Sequence, residues 1–365
     1  MSLALEFPQA ALSLHGDQTL PGDHATTRAD QPRLDPAVVY SLLVLLLPLL
    51  AIPAFIGLGK SDFFLHHGAS IWVQSNDAIF TMRNRSCDVL VFGDSTAMTG
   101  IDPDVVEHDT GFHTCNIAVT NAVLAVTGNL TLDHFLQHNT RPRMLIVQLS
   151  PDDFQPENHL WHHTIYAEGL LEQLRHGSSA DSRHLLLTHP HEAISFAGYA
   201  AGFSAYYAIK DVWFRATHLR SEEDQVHVRN GFFTPPSPAR TFCDAPDNLP
   251  SGTNGTFART LSTSFRSGYA APDSIVLVDV APIPACDGNL ATFSRQLKGV
   301  TSNTLQPLPI GLFNDGRHYT ATGSRIVSML IAEQVNKVAT ENPALDDRST
   351  PPATLATLRT VSLRR

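Results

Sequence analysis

From Arg85 onward, short apolar runs rich in β-branched residues alternate with longer amphipathic stretches. The apolar runs fall at 88–92, 115–119, 144–149, 274–281 and 308–313, and each predicts a strand, the first buried on both faces. Helical spacing marks the stretches near 121–138, 255–269 and 286–298, and a last one near 321–338. In that last stretch Ile326, Val327, Leu330, Ile331, Val335 and Val338 fall on one helical face. Strands separated by helices in this way predict an α/β domain over 85–342, its parallel sheet covered on both sides.

The flanks follow other patterns. Residues 37–58, AVVYSLLVLLLPLLAIPAFIGL, carry no charge and predict a single transmembrane anchor, kinked where Pro48 and Pro53 interrupt it. A cleaved signal peptide is the competing interpretation, but the polar leader before this run is too long and too acidic for one. Residues 1–36 predict a disordered tail, 59–84 a juxtamembrane linker and 343–365 a mobile tail. Arg28 and Arg33 precede the span and Lys60 follows it, which orients the leader to the cytoplasm and the domain outside.

Between the third and fourth runs lies an insertion, about 155–250, far longer than a crossover needs. Within it, Ala193 to Ile209 is uncharged and sets Phe196, Tyr199, Phe203 and Tyr206 or Tyr207 at helical spacing, with Trp213 continuing the line. A helix packed over the domain accounts for this pattern; a glycan-stacking platform or a membrane-surface helix are the other uses of such a stripe.

With 43% hydrophobic and 16% charged residues, the chain can bury a large core. Its formal charge of −10 and the lack of a basic run argue against nucleic acid as a partner. Cys87 and Cys115 each stand one residue before or at the start of an apolar run, so neighbouring strands would bring them together as a disulfide, leaving Cys243 and Cys286 as a second pair. Four reduced thiols is the other interpretation. His159, His162, His163, His189 and His191 lie in the insertion and are expected to be solvated; no metal ligand and no cofactor is assigned.

Candidate chemistry begins where the first run ends, in Gly93-Asp94-Ser95. A serine past the carboxyl end of a buried strand, at the start of a helix, has free backbone amides beside it for a developing oxyanion. It needs a base, and Asp315 and His318 stand three apart in a glycine-containing loop before the last helical stretch. Histidine can take the serine proton, and a carboxylate can fix the tautomer and stabilise the imidazolium.

With this pairing the chain resembles the SGNH/GDSL hydrolase superfamily, whose first block is Gly-Asp-Ser and whose last is Asp-x-x-His followed by a helix. The stretch His318-Tyr-Thr-Ala-Thr-Gly323 is similar to that ending. The second block matches Cys115-Asn-Ile-Ala-Val-Thr-Asn121, with Asn121 near the usual glycine; the third is Ser150-Pro-Asp-Asp153, with Asp152 or Pro151 where the family has an oxyanion-binding asparagine. An ionised aspartate cannot donate a hydrogen bond. The resemblance implies a five-stranded parallel sheet in order 2-1-3-4-5 within a flavodoxin-like three-layer sandwich. It implies Ser95 as nucleophile, His318 as base and Asp315 as its orienter, with Ser95, Asn121 and Asp152 around the oxyanion.

The implied activity is that of a serine acyl hydrolase or O-acetyl transferase acting on an envelope or exported polysaccharide. It would be anchored in the inner (cytoplasmic) membrane by residues 37–58, with its domain in the periplasm. Its partners would be an acylated glycan and a membrane acyl donor or export protein. The rival from another class is a non-catalytic domain of the same fold that binds glycan or scaffolds an export or acylation complex.

Overall fold

The computed structural model describes residues 35–67, 70–154, 163–217, 231–232, 238–243, 255–271 and 274–345. Residues 1–34 of the expected N-terminal tail, 346–365 of the expected C-terminal tail, His159, His162 and much of the insertion's second half lie outside these residues. By its contacts the chain divides after Pro48, inside the first helix, into a short N-terminal unit and a unit holding everything from Leu49 onward. That helix, α1 (Pro36–Gly59), has 24 residues, runs unbroken through both prolines and spans about 36 Å. It is long and apolar enough to cross a membrane.

Residues 59–84, expected as a linker, instead form two helices that belong to the body of the second unit. These are α2 (Asp62–His67) and α3 (Ile71–Phe80), the latter opened by Ser70, whose hydroxyl accepts the Val73 amide at 3.4 Å. Ile79 and Phe80 are buried in the core of the sheet, and Val73 joins a second apolar cluster. The apolar positions of this stretch are interleaved with Gln74, Ser75, Asn76 and Asp77, which hides their helical period over so short a length.

The sheet is parallel and has four strands in the order β2-β1-β3-β4. It is built from β1 (Val89–Gly93), β2 (Thr114–Asn116), β3 (Met144–Leu149) and β4 (Ile275–Val280). β1 lies between β2 and β3, with Val89 opposite Thr114 on one side and Met144 on the other. Every residue of β1 and β3 is buried, as their unbroken apolar runs require. Between β1 and β2 the chain makes α4 (Ser95–Gly100) and α5 (Pro103–Thr110); between β2 and β3 it makes α6 (Asn121–Thr127) and α7 (Leu130–His138).

The insertion contributes α8 (His163–His176), α9 (Ser179–Thr188) and α10 (Pro190–Thr217) before α11 (Gly255–Tyr269) leads into β4. Leu170, Leu171, Leu174, Phe196 and Tyr199 of these helices bury against Phe64, Leu65 and Val73, a core separate from that of the sheet. The bland expectation for the 193–209 stretch, a helix packed on the domain, thus holds for its first half.

After β4 come β5 (Ile283–Pro284), α12 (Leu290–Leu297), β6 (Pro307–Leu308) and α13 (Ala321–Glu341). The run at 308–313, expected as a fifth strand of the sheet, does not form one. Its first residue pairs in parallel with β5, and Ile310–Leu312 turns into a 3-10 helix. Pro307, Pro309 and Gly311 explain this, because each proline lacks the amide a ladder needs. The edge of β4 is satisfied by another segment. The Ser302 amide donates to Val278 O at 2.7 Å, and the Asn303 side chain accepts from the Val280 amide and donates to Val280 O, both at 2.9 Å.

Two disulfides join Cys87 to Cys115 and Cys243 to Cys286, with Cα separations of 5.8 and 6.0 Å. The first links the starts of β1 and β2, since Leu90 is in register with Cys115.

Candidate active site

The carboxyl ends of β1 and β3 meet at Gly93 and Gln148. A Cβ on Gly93 would lie 1.8 Å from Gln148 O, so the glycine is demanded by the close approach of β3. Asp94 then caps α4: one carboxylate oxygen accepts the Thr96 amide at 2.8 Å and the Thr96 hydroxyl at 2.5 Å, while the other accepts the Ser150 amide at 2.7 Å. This buried aspartate therefore fixes the turn after β1 to the turn after β3. Ser95, the first residue of α4, has a first-turn amide, a position with no acceptor inside the helix.

The Ser95 hydroxyl lies 2.9 Å from His318 Nε2, and His318 Nδ1 lies 2.6 Å from Asp315 Oδ2. Local backbone makes this possible. Asp315 Oδ1 accepts the amides of Arg317 and His318, each at 2.7 Å, which curls the chain so that Oδ2 faces the imidazole of its own turn. The turn is pinned from below: the Asn314 amide donates to His318 O, the Thr320 amide to Leu312 O, and the fully buried Tyr319 hydroxyl to Pro282 O at 2.7 Å. Thr320 caps α13 through the Gly323 amide, and Gly323 packs so tightly on Leu312 that a Cβ would lie 2.1 Å from its carbonyl.

Burial by itself raises the Asp315 carboxyl. The bonds from the His318 ring and from the two amides outweigh it and hold the group at about 2. With the carboxylate on Nδ1, Nε2 is left to face the serine hydroxyl, the tautomer a general base requires.

Asn121 and Asp152 are engaged by other side chains. Asn121, first residue of α6, donates its side-chain amide to Asp153 Oδ1. Asp152, in the 3-10 turn Pro151–Phe154, takes Arg317 Nε on Oδ2 at 2.7 Å, and its buried Oδ1 has no hydrogen-bond donor. Arg317 also donates to Asp287 Oδ2 at 2.7 Å. Burial disfavours the guanidinium charge, but Asp152 and Asp287 raise its pKa well past the ordinary value. The residue between Asp315 and His318 thus binds the last block of the site to the turn after β3, a link that sequence spacing did not suggest.

Two further residues come from α3. Asn76 donates to the Thr120 hydroxyl at 3.1 Å and accepts the Thr120 amide at 3.0 Å, fixing the entry to α6. The Trp72 ring lies 5.2 Å from the His318 ring, tilted by 45°. Neither carries a sequence signal beyond lying in a stretch expected as a linker.

Two groups of metal-ligand type form among the described residues. One comprises His113 with Cys87 and Cys115, whose sulfurs are joined to each other. The other is Asp77 of α3 with Glu172 and His176 of α8. There Asp77 Oδ1 accepts Arg175 Nε and His176 Nε2, each at 2.9 Å, and Arg175 reaches Asp62 as well. Burial pushes the Glu172 carboxyl well up, and Asp77 adds to that push. Arg175 already supplies the positive charge that an ion would bring, so this group works as a clasp between α8, α3 and α2.

No protein-family model matches the chain, and no curated protein matches it. The arrangement, a serine, a histidine on its hydroxyl and a carboxylate on the histidine, is suited to nucleophilic acyl transfer.

Proposed function

We propose that this chain is a membrane-anchored serine acyl hydrolase or O-acyl transferase of the SGNH type. The observation that carries this reading is the continuous chain Ser95 Oγ, His318 Nε2, His318 Nδ1, Asp315 Oδ2, with links of 2.9 and 2.6 Å. Ser95 attacks an ester carbonyl while His318 takes its proton. His318 then returns the proton to the leaving alcohol, and water or a sugar hydroxyl releases the acyl group from Ser95. The substrate class, an O-acyl group such as acetate on an envelope or exported polysaccharide, rests on the resemblance of the sequence blocks.

In this reading the Ser302–Leu308 segment takes the role of a fifth strand, its Ser302 backbone amide and Asn303 side chain bonded to β4. Two cystine links suit an oxidising compartment, which favours α1 as a span with the domain on the extracytoplasmic, periplasmic side. A glycan-binding scaffold without catalysis draws its support from Asp152, bound to Arg317 where an amide donor is expected.

The deciding experiment is labelling with a fluorophosphonate, which forms a stable bond to an activated serine. Labelling at Ser95, abolished in His318→Ala, is the expected outcome. A folded protein that takes no label at Ser95 supports the scaffold and overturns the hydrolase.

A further inference from the structure

α10 has two halves of different character. Up to Ala200 its inward side chains are core: Phe196 and Ala200 are fully buried, and Tyr199 nearly so, against Phe64 and the leucines of α8. Beyond Ala201 the exposed side chains among the described residues include Ala205, Tyr206, Ile209, Val212 and Trp213. Ile209 is 72% exposed, Val212 67%, Tyr206 58% and Trp213 54%. Their spacing of three and four residues puts them on one face. A helix face turned to water over several turns ordinarily carries charges, and a contiguous apolar stripe marks a contact surface.

What covers the stripe is indicated by where α10 leaves the body. Gly59, the last residue of α1, packs directly on Phe196 and Ala200; a Cβ there would lie 2.7 Å from the Phe196 ring. Ile56, one turn earlier in α1, packs on the same cluster. The exposed half of α10 therefore begins beside the end of the apolar helix. Tyr206 and Trp213 are the residue types that settle at the headgroup level of a bilayer.

We propose that the second half of α10 lies in the bilayer interface, with Tyr206, Ile209, Val212 and Trp213 among the lipid headgroups and upper acyl chains. This rests on the reading of α1 as a membrane span. A chain of net charge −10 has no general attraction to anionic lipid, so the contact is apolar and insensitive to salt. It fixes the tilt of the domain over the membrane, which a single span followed by a short connection would not.

The test uses the full chain in vesicles of zwitterionic phosphatidylcholine whose acyl chains are brominated near the headgroup. The emission of Trp213 is taken as the difference from Trp213→Phe. The expected result is loss of most of that emission relative to unbrominated vesicles, unchanged by salt and abolished by Ile209→Asp. Equal Trp213 emission in both vesicles overturns the proposal, as does a stripe found instead between two copies of the chain, read as a dimer in detergent that Ile209→Asp dissociates. Carbonate extraction of the same vesicles separates the two readings. A chain stripped off by carbonate sinks α1 as a span even where Trp213 is quenched. A chain retained with Trp213 unquenched sinks only the α10 contact.

Discussion

The turn at 315–318 and the turn at 150–154 both set an aspartate beside the same arginine, and they use it in opposite ways. In the first, Asp315 divides its oxygens between two backbone amides and the His318 ring, so its charge is satisfied by groups that also orient the base. In the second, Asp152 gives one oxygen to Arg317 and leaves the other buried without a donor. The same side chain holds an imidazole where the backbone curls beneath it, and an ion-pair partner where a 3-10 turn carries it. One turn is complete as machinery; the other is held in place by it.

Breaking the complete turn has the largest expected effect. Ser95→Ala or His318→Ala should lower kcat for a chromogenic acetate ester by on the order of 10⁴-fold or more. Both residues are part-exposed and neither anchors the core, so melting temperatures should stay near wild type. Substantial turnover by Ser95→Ala would remove the nucleophile from the mechanism.

Asp315→Asn comes next, at roughly 10³ to 10⁴-fold, through loss of the tautomer and of imidazolium stabilisation. The pH dependence separates this role from simple packing. The folded pKa of Asp315, about 2, lies below its ordinary value, so its stabilising effect is present above about pH 4 and is lost only as pH falls through about 2. A kcat/KM profile between pH 4 and 9 should therefore show no limb from Asp315. A limb in that window that disappears in Asp315→Asn would mean the carboxylate is far less tightly held than its bonds imply.

How much of this was legible beforehand follows from the same contrast. Gly-Asp-Ser and Asp-x-x-His are local: each places its groups through a strand end or a turn that the nearby sequence specifies, so Ser95, Asp315 and His318 could be named. Arg317, Trp72 and Asn76 act through partners far along the chain, and nothing in their own neighbourhoods marks them. The strands β1, β3 and β4 were legible from apolar runs, whereas the run expected at 115–119 meets β2 (Thr114–Asn116) only at Cys115 and Asn116. The expected fifth was not a strand because Pro307 and Pro309 deny it amides, a constraint present in the sequence but outweighed there by hydrophobicity. The helices α2 and α3 were missed because polar residues interrupt their short apolar pattern.

The incomplete turn can be sharpened instead of broken. Asp152→Asn keeps an oxygen for Arg317 while replacing Oδ1, which has no donor among the described residues, with an amide group, and removes one negative charge from the turn that the proposed function sets beside the oxyanion. One added donor near an oxyanion is worth about 10²-fold at best, so a gain of roughly tenfold in kcat is expected, measured with the same ester. Turnover that falls in this variant would show that the carboxylate serves to hold Arg317 and that the oxyanion is bound without this turn.

The smallest effect is expected at Trp72, which touches the complete turn from outside the sheet. Its ring stands 5.2 Å from the His318 ring, within the range over which an aromatic face stabilises a cation. Such a contact is worth about 0.5–1 kcal/mol, or roughly two- to fivefold. It favours the imidazolium that forms when Ser95 loses its proton, so its removal should weaken the base. In Trp72→Leu, kcat/KM should fall by that factor and the acid limb of its profile should move to lower pH, because the imidazolium gives up its proton more readily. Trp72→Phe, which restores an aromatic face, should recover much of both. A loss of rate with no movement of the limb, equal in Leu and Phe variants, would mean that Trp72 only fills space between α3 and the loop.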